Sequence, residues 1–479
     1  MTRVCFQNGG TGVSPVKSGV SPDFVRNRPA LVVRRTLSQS TTRNGFGRDA
    51  RNDRPEACAT HLILKTRPND EFANARLHFF VLWTSSFIRS RAAGSFVIRH
   101  CLLLLLVSVA AAETNSTRIS IGAANNVSLR NEVQRAIEKG IVWLEKNQNT
   151  NGYWSAPEDP AVTALALVAL KKHANGRVQK ESAAVKRGYD YLLSCIQPDG
   201  GIYKKDLVNY NTAVSLMALV TRNRAEDKTI ILRARNFLIG LQNDFGEKGK
   251  IDDTFDGGIG YGTKYKHSDM GNTSFALEAI RASKQIAEDS SSDARDLNWP
   301  AVIHFLERCQ NLPGHNPEKW ASDDPQNKGG FVYYPGHSMA GETNLPNGRV
   351  ALRSYGSISY AGLLSYIYAD LRRDDPRVVA VMDWLQKNYT LDENPGMGAQ
   401  GLYFYLHTMT KALTIYGANE LETSGGKRIN WREQLALKLV NLQNADGSWS
   451  NDAARWREND PALVTAYAMI SLELIFRKL

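Results

Sequence analysis

Two kinds of apolar stretch alternate along residues 131–479. One kind is amphipathic, as in Val133 to Leu144, where apolar residues recur at helical spacing between charged ones. The other kind is apolar on nearly every face and rich in small residues, as in residues 163–170. Because a helix without a polar face must be buried on all sides, we predict that outer amphipathic helices alternate with inner buried helices.

A polar, Gly-rich turn joins each outer helix to the inner helix that follows, and the longest of these turns runs from Gln310 to Tyr355. The outer helices end in a Leu-x-x-x-Gln pattern, at Gln148, Gln197, Gln242, Gln310 and Gln443, with Tyr389 at the same position of a sixth stretch. A Gly and then an aromatic residue follow each time, at Trp154, Tyr203, Tyr261, Tyr333, Tyr403 and Trp449. The Gly residues predict positive-φ turns, and the aromatic side chains can then cover apolar surface.

The repeat predicts an all-α fold, an α/α toroid (double ring) of six helix-hairpin repeats. An open array of repeats would need polar capping units at both ends, whereas the last inner stretch, ending at Phe476, has no polar outer face. In a closed ring the inner helices begin at one mouth, where loops and helix dipoles collect. We assign residues 131–479 to this toroid domain.

The excess of positive charge lies outside this domain. The 479-residue chain has 59 Lys and Arg against 48 Asp and Glu, a net charge of +11. Residues 1–112 hold 16 basic and 6 acidic residues, and residues 113–479 hold 43 and 42. Because the repeat is nearly neutral, we predict no nucleic-acid partner, and charge gives no argument for membrane binding.

The N-terminal quarter resembles a leader that ends in an export signal. Arg89, Arg91 and Arg99 precede an apolar run from Cys101 to Ala112, which is too short for an ordinary transmembrane span. We interpret residues 1–96 as a mis-called start or a disordered leader, 97–112 as a signal peptide and 113–130 as a linker. This predicts a secreted or periplasmic protein, with an uncleaved signal anchor as the alternative.

The Gln, Gly and aromatic spacing, clearest at Gln443 to Trp449, resembles the QW-type repeats of the prenyltransferase and squalene-cyclase superfamily. The resemblance covers about residues 130–479 and implies an α/α toroid whose apolar central cavity holds isoprenoid chains. Hopene-type cyclases of this superfamily carry an acid in an Asp-x-Asp-Asp-Thr sequence. The match here is Asp269-Met-Gly-Asn-Thr273, with Gly271 at the position of the acid and Asn272 at that of its partner.

Other branches of the superfamily match less well. Protein prenyltransferases bind zinc through Asp, Cys and His, but Ser354 and Gly356 stand at the first two positions and only His407 matches. One ligand of three does not hold zinc, so we predict no metal, no cofactor and no prenyltransferase α-subunit partner. Cys195 and Cys309 lie in apolar helical contexts, which favours buried thiols, although one disulfide stays open.

Polar and aromatic residues next to the inner helices form the predicted site. The candidate catalytic residues are Asp269, Arg353, Tyr355, Tyr360, His407 and Asp460. The candidate ligand-binding residues are Tyr333, Tyr334, Tyr403, Tyr405, Trp154 and Trp449. Aromatic packing and helix capping are the alternative roles. A hydroxyl series is suited to helix capping, and for its Thr members we prefer these structural roles. That series is Thr163, Thr212, Thr273, Ser357, Ser359 and Thr465.

Three functions remain open from the sequence. The first is an exported toroid that binds an isoprenoid, a lipid or another apolar small molecule, with cyclase chemistry that uses a non-standard acid. The second is a non-catalytic binding or scaffold module. The third is a carbohydrate-active enzyme, since acidic residues such as Asp269 and Asp460 recur before inner helices. Whether the chain is an enzyme stays open.

Overall fold

The computed structural model describes residues 116–171, 181–263, 265, 267–291 and 294–479. The proposed leader and signal peptide lie outside these residues. In chain order the helices are α1 (Ser116–Lys146), α2 (Pro160–Lys171), α3 (Ala183–Leu193), α4 (Val208–Arg222), α5 (Lys228–Ile239), α6 (Met270–Ala282), α7 (Lys284–Glu288), α8 (Trp299–Arg308), α9 (Gly356–Tyr368), α10 (Pro376–Lys387), α11 (Leu402–Tyr416), α12 (Trp431–Leu442) and α13 (Pro461–Phe476).

The inner helices form a closed ring. Helix α2 packs against α4, and the contacts continue in order through α6, α9, α11 and α13, which packs back against α2. The outer helices α1, α3, α5, α8, α10 and α12 pack against this ring, and α12 meets α1 where the chain ends. The structure is therefore the all-α toroid predicted from the sequence, and the apolar last helix α13 is covered by α1 and α2.

Two details of the secondary structure differ from the sequence prediction. Helix α1 begins at Ser116, so most of the segment 113–130 that we interpreted as a linker is helical. That segment contains no Pro, and the helix of the first repeat extends through it. Short antiparallel hairpins also interrupt the helical fold, β1 (Glu342–Asn344) with β2 (Val350–Leu352) and β3 (Leu421–Glu422) with β4 (Arg428–Ile429).

The Gln side chains join successive repeats. Gln443 donates from Nε2 to the carbonyl oxygen of Gly447 in its own turn, at 2.9 Å, and to that of Ala136 in α1, at 2.8 Å. Gln148 and Gln310 make the same pair of bonds to their own turns and to the next outer helix. The bond from Gln443 to α1 closes the ring, because it joins the last repeat to the first.

In five of the six turns a Gly lies against the backbone of the next outer helix. Gly447 has φ +96°, and a Cβ placed there would lie 2.6 Å from the carbonyl oxygen of Lys139 in α1. Gly200 has φ +95°, and a Cβ there would lie 2.9 Å from the carbonyl oxygen of Arg233 in α5. The predicted positive-φ turns are confirmed, and close approach gives a second reason for glycine.

The hydroxyl series does not cap the inner helices. Thr163 lies three residues inside α2, and its Oγ1 accepts the backbone N–H of Trp154 at 3.1 Å. Thr212, Thr273, Ser359 and Thr465 accept a turn N–H in the same way. The capping prediction was wrong for these five residues because the inner helices begin about one turn earlier than the apolar pattern indicated. Their hydroxyls hold the turn against the inner helix.

The described part of the chain gives two further results. Cys195 and Cys309 are buried free thiols, as the preferred interpretation stated. Among the described helices, none combines the length and the apolar character that crossing a bilayer requires.

Candidate functional site at the mouth of the ring

The inner helices begin at one end of the ring, which we call the mouth, and neighbouring repeats cap them there. Asn211 of α4 accepts the N–H of Ala161 at the start of α2, at 3.1 Å. Asn394 accepts the N–H of Ser357 in α9, at 2.9 Å. Glu458 accepts the N–H groups of Tyr403 and Phe404 in α11. These bonds satisfy the free N–H groups of helix starts and align the helices with one another.

Asp269 is the N-cap of α6 and is fully buried. Its Oδ1 accepts the backbone N–H of Asn272 and its Oδ2 accepts the Asn272 side-chain amide, both at 2.8 Å. Burial raises the pKa of this carboxyl from 3.8 to about 6, although the bonds from Asn272 oppose the shift. Asp269 can therefore carry a proton near neutral pH.

Because residue 271 is glycine, room for about one methyl group is left beside this carboxyl, and we call it the open space over Gly271. A Cβ on Gly271 would lie 3.4 Å from Asp269 Oδ1 and 3.8 Å from the ring of Tyr333, with no other side chain within 4 Å. The Tyr333 hydroxyl pairs with that of Tyr261 at 3.1 Å, and both side chains are partly exposed. A ligand atom at this point would meet the carboxyl and an aromatic ring together.

A cluster of rings extends this site outward. Tyr334 lies between His267, at 4.6 Å between ring centroids, and His337, at 4.8 Å. Burial lowers the pKa of His337, and the charges of His267 and Arg455 act in the same direction. The cluster places partly exposed aromatic surface beside Asp269.

Four aromatic side chains cross the interior of the ring just below the mouth, and we call them the aromatic quartet. Tyr210 of α4 contacts Phe275 of α6 at 4.9 Å between ring centroids. Phe275 contacts Phe404 of α11 at 5.9 Å, and Phe404 contacts Tyr467 of α13 at 6.1 Å. The hydroxyls of Tyr467 and Tyr210 lie 3.3 Å apart, so each member of the quartet contacts two others.

An ion pair crosses the ring at a deeper level. Lys411 of α11 pairs with Glu278 of α6, and both side chains are mostly buried. Helix α9 separates α6 from α11 in the ring, so this pair spans the interior as the quartet does. The interior of the ring is therefore apolar near the mouth and charged further in.

The predicted catalytic residues do not all lie together. Asp269 lies near Tyr355, the buried N-cap of α9, whose pKa is raised mainly by burial and further by the charge of Asp269. Tyr360 is buried against Tyr405, and its hydroxyl has no partner among the described residues. Arg353 has an exposed side chain.

His407 and Asp460 have other neighbours. His407 is buried, and its ring lies 4.8 Å from that of Tyr467 beneath the quartet. Asp460 is the half-buried N-cap of α13 and accepts the N–H of Ala462 at 3.0 Å.

The predicted ligand-binding residues divide into two groups. Tyr333 and Tyr334 are partly exposed at the mouth beside Asp269. The others are buried, and their polar atoms are used within the protein. The indole N–H groups of Trp154 and Trp449 donate to the carbonyl oxygens of Leu144 and Leu439, the Tyr405 hydroxyl donates to that of Thr390, and the Tyr403 N–H donates to Glu458.

Sequence reasoning missed several residues of this site. Asn272 was noted only as a departure from the cyclase motif, yet it holds both oxygens of Asp269. Asn209 of α4 donates to the carbonyl oxygens of Gly260 and Asn272, both at 3.0 Å. The sequence did contain a signal for these contacts. Asn209 and Asn272 stand near the starts of two neighbouring inner stretches, and a buried amide requires hydrogen-bond partners.

Two concave regions are lined by other residues. One, of about 520 Å³, is lined by Tyr153, Arg187, Tyr191 and Lys204 beside the first turn, and the other, of about 230 Å³, lies beside α10 and β3. Neither includes the residues around Asp269. Nowhere in the described ranges do three or more His, Cys, Asp or Glu side chains come together as a metal site would require.

Comparisons with known proteins give similarities at low identity. No family model matches the chain. A variant of the type II terpene cyclase MstE from Scytonema, in complex with its substrate geranylgeranyl dihydroxybenzoate, is 14% identical, with a TM-score of 0.43 over 74% of this chain and 99% of that one. A protein from Actinoplanes is also 14% identical, with a TM-score of 0.39 over 72% and 99%.

Proposed function

We propose that this toroid binds an isoprenoid or another apolar small molecule at the mouth of its ring, and that Asp269 is the acid that acts on it. The observation that carries this proposal is a fully buried carboxyl, with its pKa raised to about 6, beside the open space over Gly271. The ring of Tyr333 borders the same region, and Phe275 lies about one helical turn further along α6, so both offer apolar contact.

The proposed reaction is protonation of an alkene. The Asp269 hydroxyl gives its proton to one alkene carbon, the π electrons form the new C–H bond, and a carbocation remains on the other carbon. Attack by a second alkene closes a ring and leaves a new carbocation. This cation loses a proton from a neighbouring carbon to solvent water, and the Asp269 carboxylate takes up a proton from the medium. An acid for this step must be protonated and shielded from water, which burial favours at Asp269. The aromatic faces can stabilise the cation.

A non-catalytic scaffold is the second candidate, and the aromatic quartet favours it. Side chains from four inner helices meet across the ring, so the interior holds packed protein where a cyclase would hold substrate. For the carbohydrate alternative, the structure offers less support, because Asp269, Asp460 and Glu458 each accept backbone N–H groups at helix starts.

Turnover in deuterium oxide tests the proposal. The chain would be incubated with geraniol, geranylgeraniol or squalene, and the products examined by gas chromatography with mass spectrometry. Protonation by Asp269 predicts cyclic products that carry one deuterium from solvent, because the acid exchanges its proton with the medium. Asp269→Asn should abolish these products and leave ligand adducts visible in native mass spectra.

The matched control is Asp375→Asn, the same substitution at the N-cap of the outer helix α10. This variant should turn over at the rate of the unchanged protein. If no probe gives a product or an adduct with the folded protein, the ligand-binding proposal fails and the scaffold candidate is preferred.

We also propose export across a membrane, on the basis of the apolar run from Cys101 to Ala112. Expression of the full chain in a secreting host, followed by N-terminal sequencing, tests this. Cleavage near residue 112 is expected, and a chain that keeps residues 1–96 inside the cell would contradict it.

A further inference from the structure

The exposure of individual residues identifies the face of α6 that points into the interior of the ring. Gly271, Ser274, Phe275 and Glu278 are partly exposed, whereas the other residues from Met270 to Ile280 are buried. These four lie three or four residues apart and therefore share one face of the helix. The face leads from the open space beside Asp269, past the aromatic quartet, to the ion pair with Lys411.

The distance from the open space to the quartet is short. Gly271 and Phe275 are four residues apart, which is about one helical turn, or roughly 5–6 Å along the axis. Phe404 and Tyr210 also lie within the first turn of their helices. The quartet therefore crosses the interior about one turn below the carboxyl of Asp269.

The quartet contacts link helices that are not neighbours in the ring. Phe275 of α6 contacts Phe404 of α11, although α9 lies between these two helices in the order of the ring. The hydroxyls of Tyr210 in α4 and Tyr467 in α13 meet in the same way, although α2 lies between their helices. Long apolar chains that pass the mouth would have to separate these rings. They would then reach Glu278 and Lys411, a charged pair that an apolar chain cannot solvate.

We propose that the aromatic quartet is the floor of the ligand site and sets the class of ligand, admitting short or compact apolar groups and excluding long polyprenyl chains. This inference rests on the proposed function, because it concerns the ligand of the same site. Phe275 and Phe404 are the specificity-determining residues, since their aromatic side chains join α6 to α11 across the interior of the toroid.

Binding measurements with ligands of two lengths test this floor. Dissociation constants for geraniol, with ten carbons, and geranylgeraniol, with twenty, would be measured by native mass spectrometry with the unchanged protein and with Phe275→Ala/Phe404→Ala. The unchanged protein should bind geraniol at least tenfold more tightly. The double variant should gain tenfold or more in affinity for geranylgeraniol, with a smaller change for geraniol.

Phe237→Ala removes the same side chain from the outer helix α5, where Phe237 packs on Tyr203, and serves as the control. It should leave the ratio of the two dissociation constants unchanged. If the double variant does not fold, Phe404→Leu is the milder test, and it should shift the ratio in the same direction.

The outcomes separate the two proposals. Equal binding of both alcohols by the unchanged protein, or no shift of the ratio in the folded variants, overturns the inference about the floor and leaves the proposed function standing. Absence of binding of either alcohol by the unchanged protein overturns the proposed function, and the floor with it.

Discussion

The turns between outer and inner helices differ from the mouth of the ring in how their polar groups are used. In the turns, one bonding pattern recurs, with a Gln amide, a positive-φ Gly and a hydroxyl that accepts a turn N–H. At the mouth, the capping groups vary among Asp, Asn and Glu side chains, and Asp269 is fully buried with a raised pKa.

The difference indicates which contacts stabilise the fold and which polar groups are left for a ligand. A contact that recurs in most repeats stabilises the interface between neighbouring units, which is how repeat proteins gain most of their stability. A buried carboxyl whose pKa is raised, as at Asp269 and Glu458, costs stability when it is ionised and is typical of functional sites. We therefore expect substitutions in the turns to change stability and substitutions at the mouth to change ligand behaviour.

The largest effect is expected at the turn glycines. Gly447→Ala places a Cβ 2.6 Å from the carbonyl oxygen of Lys139 and forces an L-residue to φ +96°. Overlap with a backbone cannot be relieved by a side-chain rotation, so we expect unfolding free energy to fall by about 3 kcal/mol or more. Urea denaturation followed by circular dichroism measures this loss.

Gly425→Ala is the control for this substitution. A methyl group placed on Gly425 would have no atom within 4 Å, and this glycine does not adopt a positive φ. Its variant should remain within about 0.5 kcal/mol of the unchanged protein. Equal stability of the two variants would mean that the close approach of Gly447 to α1 does not hold the ring together.

The next effect concerns the carboxyl of Asp269. Its folded-state pKa of about 6 lies above the ordinary value of 3.8, so the folded chain binds more protons between these values than the unfolded chain. Stability from this group is therefore highest below about pH 4 and falls as pH rises through 6. At 1.36 kcal/mol per pKa unit, the loss is about 2–3 kcal/mol.

Comparison of the unchanged protein with Asp269→Asn isolates this contribution from other carboxyl groups. The difference between their unfolding free energies should change from pH 4 to pH 6.5 in favour of the variant and then stay constant. Chemical denaturation at a series of pH values measures it. A difference that does not vary with pH would show that Asp269 titrates normally and would remove the acid from the proposed function.

A smaller effect distinguishes structural tryptophans from ligand-binding ones. Trp449→Phe removes the indole N–H that bonds to Leu439 and leaves a buried carbonyl group unsatisfied. We expect a loss of about 1–2 kcal/mol in unfolding free energy and no change in the dissociation constant for geraniol. Trp456→Phe, at an exposed position, is the control for stability. Weaker ligand binding by the folded Trp449→Phe variant would restore its predicted role at the site.

The ring was predictable from sequence because the residues that make its turn contacts recur at short, regular spacing. Gln443, Gly447 and Trp449 lie within seven residues, so their spacing is visible without a structure. The caps supplied by Asn211 and Glu458 were not predictable as such, because each joins residues 50 or more apart. Contacts between distant segments leave no local spacing to recognise.

The candidate site was predictable only where a local motif marked it. Asp269 was found because a capping residue precedes an inner helix in a sequence similar to the cyclase motif. The aromatic quartet was missed, since its members come from four helices and Tyr210 and Tyr467 are 257 residues apart. An aromatic residue on a buried helix has the same sequence signature whether it packs in the core or crosses the interior.

The smallest effect is expected at Arg353, which was predicted as catalytic and has an exposed side chain. Its backbone is fixed, with the N–H donating to Gly341 and the carbonyl oxygen accepting from Ser338, so the side chain is not needed for the loop. Arg353→Ala should therefore change unfolding free energy by less than about 0.5 kcal/mol. The dissociation constant for geraniol, measured by native mass spectrometry, should also stay the same, whereas Tyr333→Ala should weaken binding at least fivefold. Loss of geraniol binding in Arg353→Ala would mean that the ligand site extends beyond the residues next to Asp269.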